Sequence, residues 1–151
     1  MILFMKKSLL LFIFMVSTLF GCIEKEGDYG AIGNSVITNL TNKEWNREFH
    51  SVLSDGTELD MNVTYLFEDN GHGTYKEVAS YKNGKIEERI SYFHWTFTTP
   101  NFQYIYLDLN CYWEIAHLST EQLSIYETWE DPLTNPGQTY RDYQEYHSII
   151  K

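Results

Sequence analysis

The sequence predicts an all-β fold, one eight-stranded antiparallel barrel of the up-and-down kind. Three observations carry that reading. Seven turn signals punctuate the chain beyond Trp45 at steady spacing. The segments between them alternate apolar and polar residues. Aromatic residues, which suit a pleated and half-buried surface, make up 17% of the chain. Closure follows because an open sheet of eight strands leaves two long edges exposed, and a closed meander leaves none.

The turns come first. Asp55-Gly56, Asn70-Gly71 and Asn83-Gly84 are hairpin dipeptides, read as type I′ turns with positive φ at both central residues. Pro100-Asn101, Asn110, Ser119-Thr120-Glu121 and Asn135-Pro136-Gly137 supply four further breaks. Between the turns, Leu59, Met61, Val63, Tyr65 and Phe67 share one face, with Asp60, Asn62, Thr64 and Glu68 on the other. That is the period of two of a half-buried strand. From Ile86 to Phe97 the apolar face changes sides: Ile90 and Tyr92 lie on one face, Phe93, Trp95 and Phe97 on the other. A β-bulge near Tyr92 is the expected device. Ile105, Leu107 and Leu109 alternate with Tyr104, Tyr106 and Asp108, and Leu123 and Ile125 with Ser124 and Tyr126. Tyr140, Tyr143 and Tyr146 sit three apart, a helical spacing, but the β-rich context favours a strand there too. Trp45 and Trp95 are expected in the core.

Upstream of the barrel the chain has a different character. Lys6 and Lys7 precede an apolar run from Leu9 to Val16, and then come Leu19-Phe20-Gly21-Cys22. A charged start, a short apolar stretch and a small residue before a cysteine resemble a bacterial lipoprotein signal peptide, with Cys22 the lipidated first residue of the mature chain. The apolar stretch is short of the ~20 residues that span a bilayer. The division expected is residues 1–21 as signal peptide, 22–42 as lipidated cysteine and flexible tether, and 43–151 as the barrel. Within that tether, Ser35 to Asn42 has room for one short turn or helix. Membrane attachment would run through acyl chains on Cys22. Ile23 stands where an aspartate would resemble an inner-membrane retention signal, and Glu24-Lys25-Glu26-Gly27-Asp28 resembles the charged signals that send some lipoproteins to the cell surface. The localisation expected is therefore the outer membrane, lipid-anchored and surface-exposed.

Charge narrows the partners. The net charge is −10, and loss of Lys6 and Lys7 with the signal lowers it by two, to −12. Such acidity argues against nucleic acid, whose affinity comes from Lys and Arg neutralising phosphates. It also argues against flat adsorption on anionic lipid.

The order of motifs suggests a family. Trp45 opens the first strand. Phe67-Glu68-Asp69-Asn70-Gly71-His72-Gly73-Thr74-Tyr75 is a strand, a glycine-rich hairpin and a second strand. Phe93-His94-Trp95, Trp113 to Ser119 and Leu123-Ser124-Ile125 follow. Together they resemble the lipocalin-like domains of small lipoproteins of Gram-negative bacteria. The resemblance implies an up-and-down barrel with Trp45 closing one end. Lys43 stands where classical lipocalins have a glycine. No catalytic residue transfers with the family.

Catalytic and metal constellations are absent from the pattern. The 5 histidines are scattered; strand pairing could bring His94 and His117 together, but solvated or singly hydrogen-bonded histidines are the expectation. No Cys or Asp cluster completes a metal-ligand spacing, and there is no nucleophile motif or phosphate loop. Glu87-Glu88 and Glu130-Asp131 read as solvated charges. Cys111, without a partner once Cys22 is lipidated, reads as a buried and inert strand thiol. The expected protein is not an enzyme and takes no cofactor or metal. The tyrosines are the remaining signal. If Ile105, Leu107, Trp113, Ile115, Leu123 and Ile125 point inward, then Tyr104, Tyr106, Tyr112 and Tyr126 point outward on neighbouring strands and offer a binding surface. Two functions compete. One is a non-catalytic interaction module that docks an unknown protein by that surface. The other is a carrier holding a small apolar or aromatic ligand inside the barrel.

Overall fold

The computed structural model describes residues 31–149. Cys22, the signal-like segment and the first part of the expected tether lie outside the described residues. One helix, α1 (Ala31–Leu40), precedes eight strands: β1 (Glu44–Val52), β2 (Glu58–Phe67), β3 (His72–Tyr81), β4 (Ile86–Phe97), β5 (Tyr104–Leu107), β6 (Cys111–Leu118), β7 (Gln122–Thr128) and β8 (Asp142–Ile149). Each strand pairs antiparallel with the next, and β8 returns to β1. The fold is the closed up-and-down barrel that the sequence predicts. All seven turn signals fall between strands.

The helix starts earlier than the sequence suggests, so Gly33 and Asn34 are helical rather than tether. It ends where Asn42 adopts a left-handed φ of 58°, a conformation that asparagine tolerates. The Asn42 amide then donates to the Phe67 carbonyl at 2.8 Å. Leu40 is fully buried, and the Trp45 indole Nε1 donates to its carbonyl at 2.8 Å. One tryptophan thereby joins helix, strand and core at this end of the barrel.

The three short hairpins differ from the expected type. Positive φ is confined to Gly56, Gly71 and Gly84, at 83°, 82° and 86°. In each, the preceding Asp55, Asn70 or Asn83 accepts the amide two residues on at 2.9 Å. That side-chain hydrogen bond favours an ordinary right-handed turn, and the glycine alone supplies the left-handed residue.

Alternation places the core. Leu59, Met61, Val63, Tyr65 and Phe67 face inward as predicted, along with Trp45 and Trp95. Trp45, Phe67, Ile105, Leu107, Trp113, Leu123 and Ile125 are all fully buried. Strand β4 corrects the sequence reading. Its register against β3 runs unbroken from Ile86 to His94, so there is no bulge at Tyr92. Plain alternation turns Ile90 and Tyr92 outward, where they are exposed, and Phe93 and Trp95 inward. The register does shift between Ile115 and His117, opposite β7.

The closure is uneven. β4 meets β5 at only three residue pairs, Trp95–Leu107, Thr96–Tyr106 and Phe97–Ile105. β1 meets β8 at three more, Glu44–Ile149, Trp45–Ser148 and Asn46–His147. All six pairs lie toward the α1 end. The long strands β1–β4 therefore extend beyond the pairing as a four-stranded ribbon, and the shorter β5–β8 form the other half.

Candidate functional site

The tyrosine face is built by parity. Ile105, Trp113 and Ile125 are wholly buried, so their neighbours in β5, β6 and β7 point outward. Cross-strand pairing then aligns Tyr104 with Glu114, Glu114 with Tyr126, and Tyr126 with Tyr143. Tyr106 pairs with Tyr112, their ring centroids 5.0 Å apart. All four tyrosines singled out from the sequence, Tyr104, Tyr106, Tyr112 and Tyr126, lie together on this outer face, each half-buried.

Two side chains that the sequence reading missed complete the face. Arg141 lies 3.8 Å from the centre of the Tyr126 ring and donates to the Glu114 carboxylate at 2.8 Å. Tyr143, 5.2 Å from Tyr126, donates to Glu145 at 2.6 Å. That hydrogen bond raises the Tyr143 hydroxyl above its ordinary range. Tyr143 was legible in principle, since it stands three residues before the buried Tyr146 and so has the opposite parity. The three-residue spacing of Tyr140, Tyr143 and Tyr146 obscured it. The result is an aromatic surface with one fixed cation and acceptors at its margin, held by side chains that are already ordered. Ordered aromatics lose little entropy on docking.

The interior is packed at the α1 end. Tyr65 makes edge contacts with Trp113, Phe93 and Tyr146, at 4.7, 5.9 and 5.7 Å between centroids, and Trp113 stacks on Tyr146. Phe93 covers Gly73, its cross-strand partner, where a Cβ would meet the ring at 2.3 Å. Above this core the lining turns polar. Trp113 Nε1 donates to Glu127 at 3.1 Å, and Tyr140 donates to the other carboxylate oxygen at 3.2 Å. Burial and Glu127 push the Tyr140 hydroxyl up to about 12. Tyr75 and Arg89 both donate to Glu77. Along the inner face of the ribbon lies an open hollow of about 800 Å³, whose lining mixes Phe49, Leu59, Met61 and Ala79 with Glu77 and Arg89.

The remaining reactive groups have structural partners. Cys111 is buried at the start of β6, and burial pushes its thiol up to about 12. Burial in apolar surroundings disfavours the thiolate, which is the reactive form. His94 pairs with His72, centroids 4.5 Å apart, and with Asp108 at 3.1 Å, whereas His117 pairs with Ser124 in another part of the barrel. Strand pairing therefore does not bring His94 and His117 together, because β5 lies between β4 and β6. Glu87 and Glu88 are exposed and paired with Lys85 and Lys76. Among the described residues, no group of three His, Cys, Asp or Glu side chains is placed to hold a metal. Nor is any described helix long and apolar enough to cross a membrane.

Comparisons with protein-family models, with curated proteins and with solved structures find no match to this chain.

Proposed function

We propose that this protein is a non-catalytic interaction module of the cell envelope. In this reading Cys22 carries the lipid anchor, the outer membrane is its site, and a partner protein docks on the tyrosine face of β5–β8. The resemblance to lipocalin-like lipoproteins belongs to the same proposal. The observation that carries it is a contrast within one half of the barrel. Trp113, Ile105, Leu107, Leu123, Ile125 and Tyr146 fill the inside, and the alternate positions of the same strands present Tyr104, Tyr106, Tyr112, Tyr126 and Tyr143 outside. Interface energy concentrates in such aromatic anchors and in arginine, which Arg141 supplies.

The test replaces Tyr104, Tyr106 and Tyr126 together with serine. Circular dichroism establishes that the variant folds. Cross-linking in the intact host envelope should then recover a partner with the wild type and lose it with the variant. An unchanged set of cross-linked partners overturns the reading.

The ribbon hollow favours a second reading. Its apolar floor and its Glu77–Arg89 pair suit a small ligand with an aromatic body and a polar end. A ligand bound there would be indifferent to the triple substitution and would be lost on replacing Met61 or Phe49.

A further inference from the structure

Strand β4 has one edge that the barrel does not use. β3 pairs with it along its length, from Ile86 to His94, whereas β5 begins only opposite Trp95. The hydrogen bonds fix which backbone groups point outward. Tyr81 N–H bonds the Lys85 carbonyl in the β3–β4 hairpin, and the His94 amide and carbonyl are both taken by Asp108 on the β5 side. Alternation between these anchors directs the amides and carbonyls of Ile86, Glu88, Ile90 and Tyr92 away from β3. No described residue pairs with them. Natural sheets blunt such edges with proline, bulges, short strands or charged side chains; this segment has no proline or bulge and is long, and its charges, Glu87, Glu88 and Arg89, are paired within the chain with Lys85, Lys76 and Glu77. Instead, Ile86 is 68% exposed, Ile90 50% and Tyr92 82%.

We propose that this edge pairs antiparallel with the same edge of a second copy of the chain, about a two-fold axis at Glu88. The segment is self-complementary in that register. On the outer face, Ile86 of each copy opposes Ile90 of the other. On the inner face, Glu87 opposes Arg89, twice. Ile86, Glu88 and Ile90 are the residues whose backbone groups point outward, so the two edges exchange about six backbone hydrogen bonds. The axis brings the two Glu88 side chains together, but each is held 3.1 Å from its own Lys76. Moving the axis one residue, to Arg89, sets arginine against arginine at the closer type of cross-strand site and removes both Glu–Arg pairs. Moving it to Ile90 opposes Glu87 to the core residue Phe93. The pairing joins two β1–β4 ribbons into one continuous sheet and leaves the tyrosine face uncovered, so it stands independently of the proposed function.

The register makes a sharp test. At a hydrogen-bonded antiparallel pair the Cα atoms lie about 5.5 Å apart, within the span of a disulfide. In full-length protein with Cys22→Ser, leaving the buried Cys111 as the other thiol, Glu88→Cys should cross-link to itself under mild oxidation. Its rate should exceed that of Leu133→Cys, an equally exposed control, by at least tenfold. Adding Ile90→Pro removes an outward N–H that β3 does not use. That variant should keep its fold by circular dichroism and lose the cross-link. Sedimentation equilibrium of the protein without added cysteines should show a reversible dimer, which Ile90→Pro weakens at least tenfold. Cross-linking of Glu88→Cys no faster than the control overturns the proposal, as does a monomer at every concentration. Faster cross-linking at Arg89→Cys than at Glu88→Cys overturns the register.

Discussion

Gly73 shows how much a single position sets. It faces Phe93 across β3 and β4, and a Cβ there would fall 2.3 Å from the ring and 2.8 Å from the Leu66 carbonyl. The ring cannot move away freely, because Phe93 is 2% exposed and packs edge-on against Phe67 at 5.4 Å. Gly73→Ala should therefore cost about 1–3 kcal/mol, as overpacking does. A lowered urea midpoint at unchanged slope measures it, and an unchanged midpoint means that the ring has room. The sequence hints at this glycine only as part of a turn. The clash depends on register, which places residue 73 opposite residue 93. Other single residues were legible. Trp45 and Trp95 lie in strands whose alternate positions are polar, so their burial follows from parity, and Cys111 follows the same rule.

At the scale of elements, the seams between strands matter most. Asp108 caps the point where β4 separates from β5, accepting the His94 amide at 2.8 Å and facing the His94 ring at 3.1 Å. The amide hydrogen bond, then the imidazole, hold its carboxyl below its ordinary value of 3.8. A carboxylate depressed in the folded state contributes stability that is present above its unfolded pKa and lost as pH falls through the folded one. The melting temperature should drop below about pH 4, and Asp108→Asn should shrink that drop while lowering the melting temperature at neutral pH. Identical pH profiles for the two proteins would contradict the cap. Strand number, strand order and turn positions were legible, because apolar alternation and Asn-Gly or Asp-Gly dipeptides report on neighbouring residues. The turn type was not, since the Asp55, Asn70 and Asn83 side chains choose it by hydrogen bonds two residues away. Nor was the contact between His72 and His94, which depends on the register of β3 against β4.

For the whole molecule, the central claim is a barrel packed at its α1 end that docks a partner by its outer tyrosine face. The aromatic part of the candidate site was legible in the sequence. Tyr104, Tyr106, Tyr112 and Tyr126 follow from parity alone, but Arg141 and Glu114 join them only through the β6–β7–β8 register. The polar tier above the core was hidden for a related reason. Glu77, Arg89 and Glu127 occupy inward positions at the margin of the packed aromatics, Glu77 accepting from Tyr75 and Glu127 from Trp113, where a charge retains access to water. The uneven closure was hidden as well, because it is set by how few residues of β4 and β1 find partners. The measurement that bears most directly on the claim is native mass spectrometry of the full-length protein purified from its own host envelope. The account predicts a polypeptide that begins at an acylated Cys22, carries no small molecule and retains a protein partner. A small apolar molecule retained by the wild type, and still retained after Tyr104, Tyr106 and Tyr126 are replaced with serine, would contradict it.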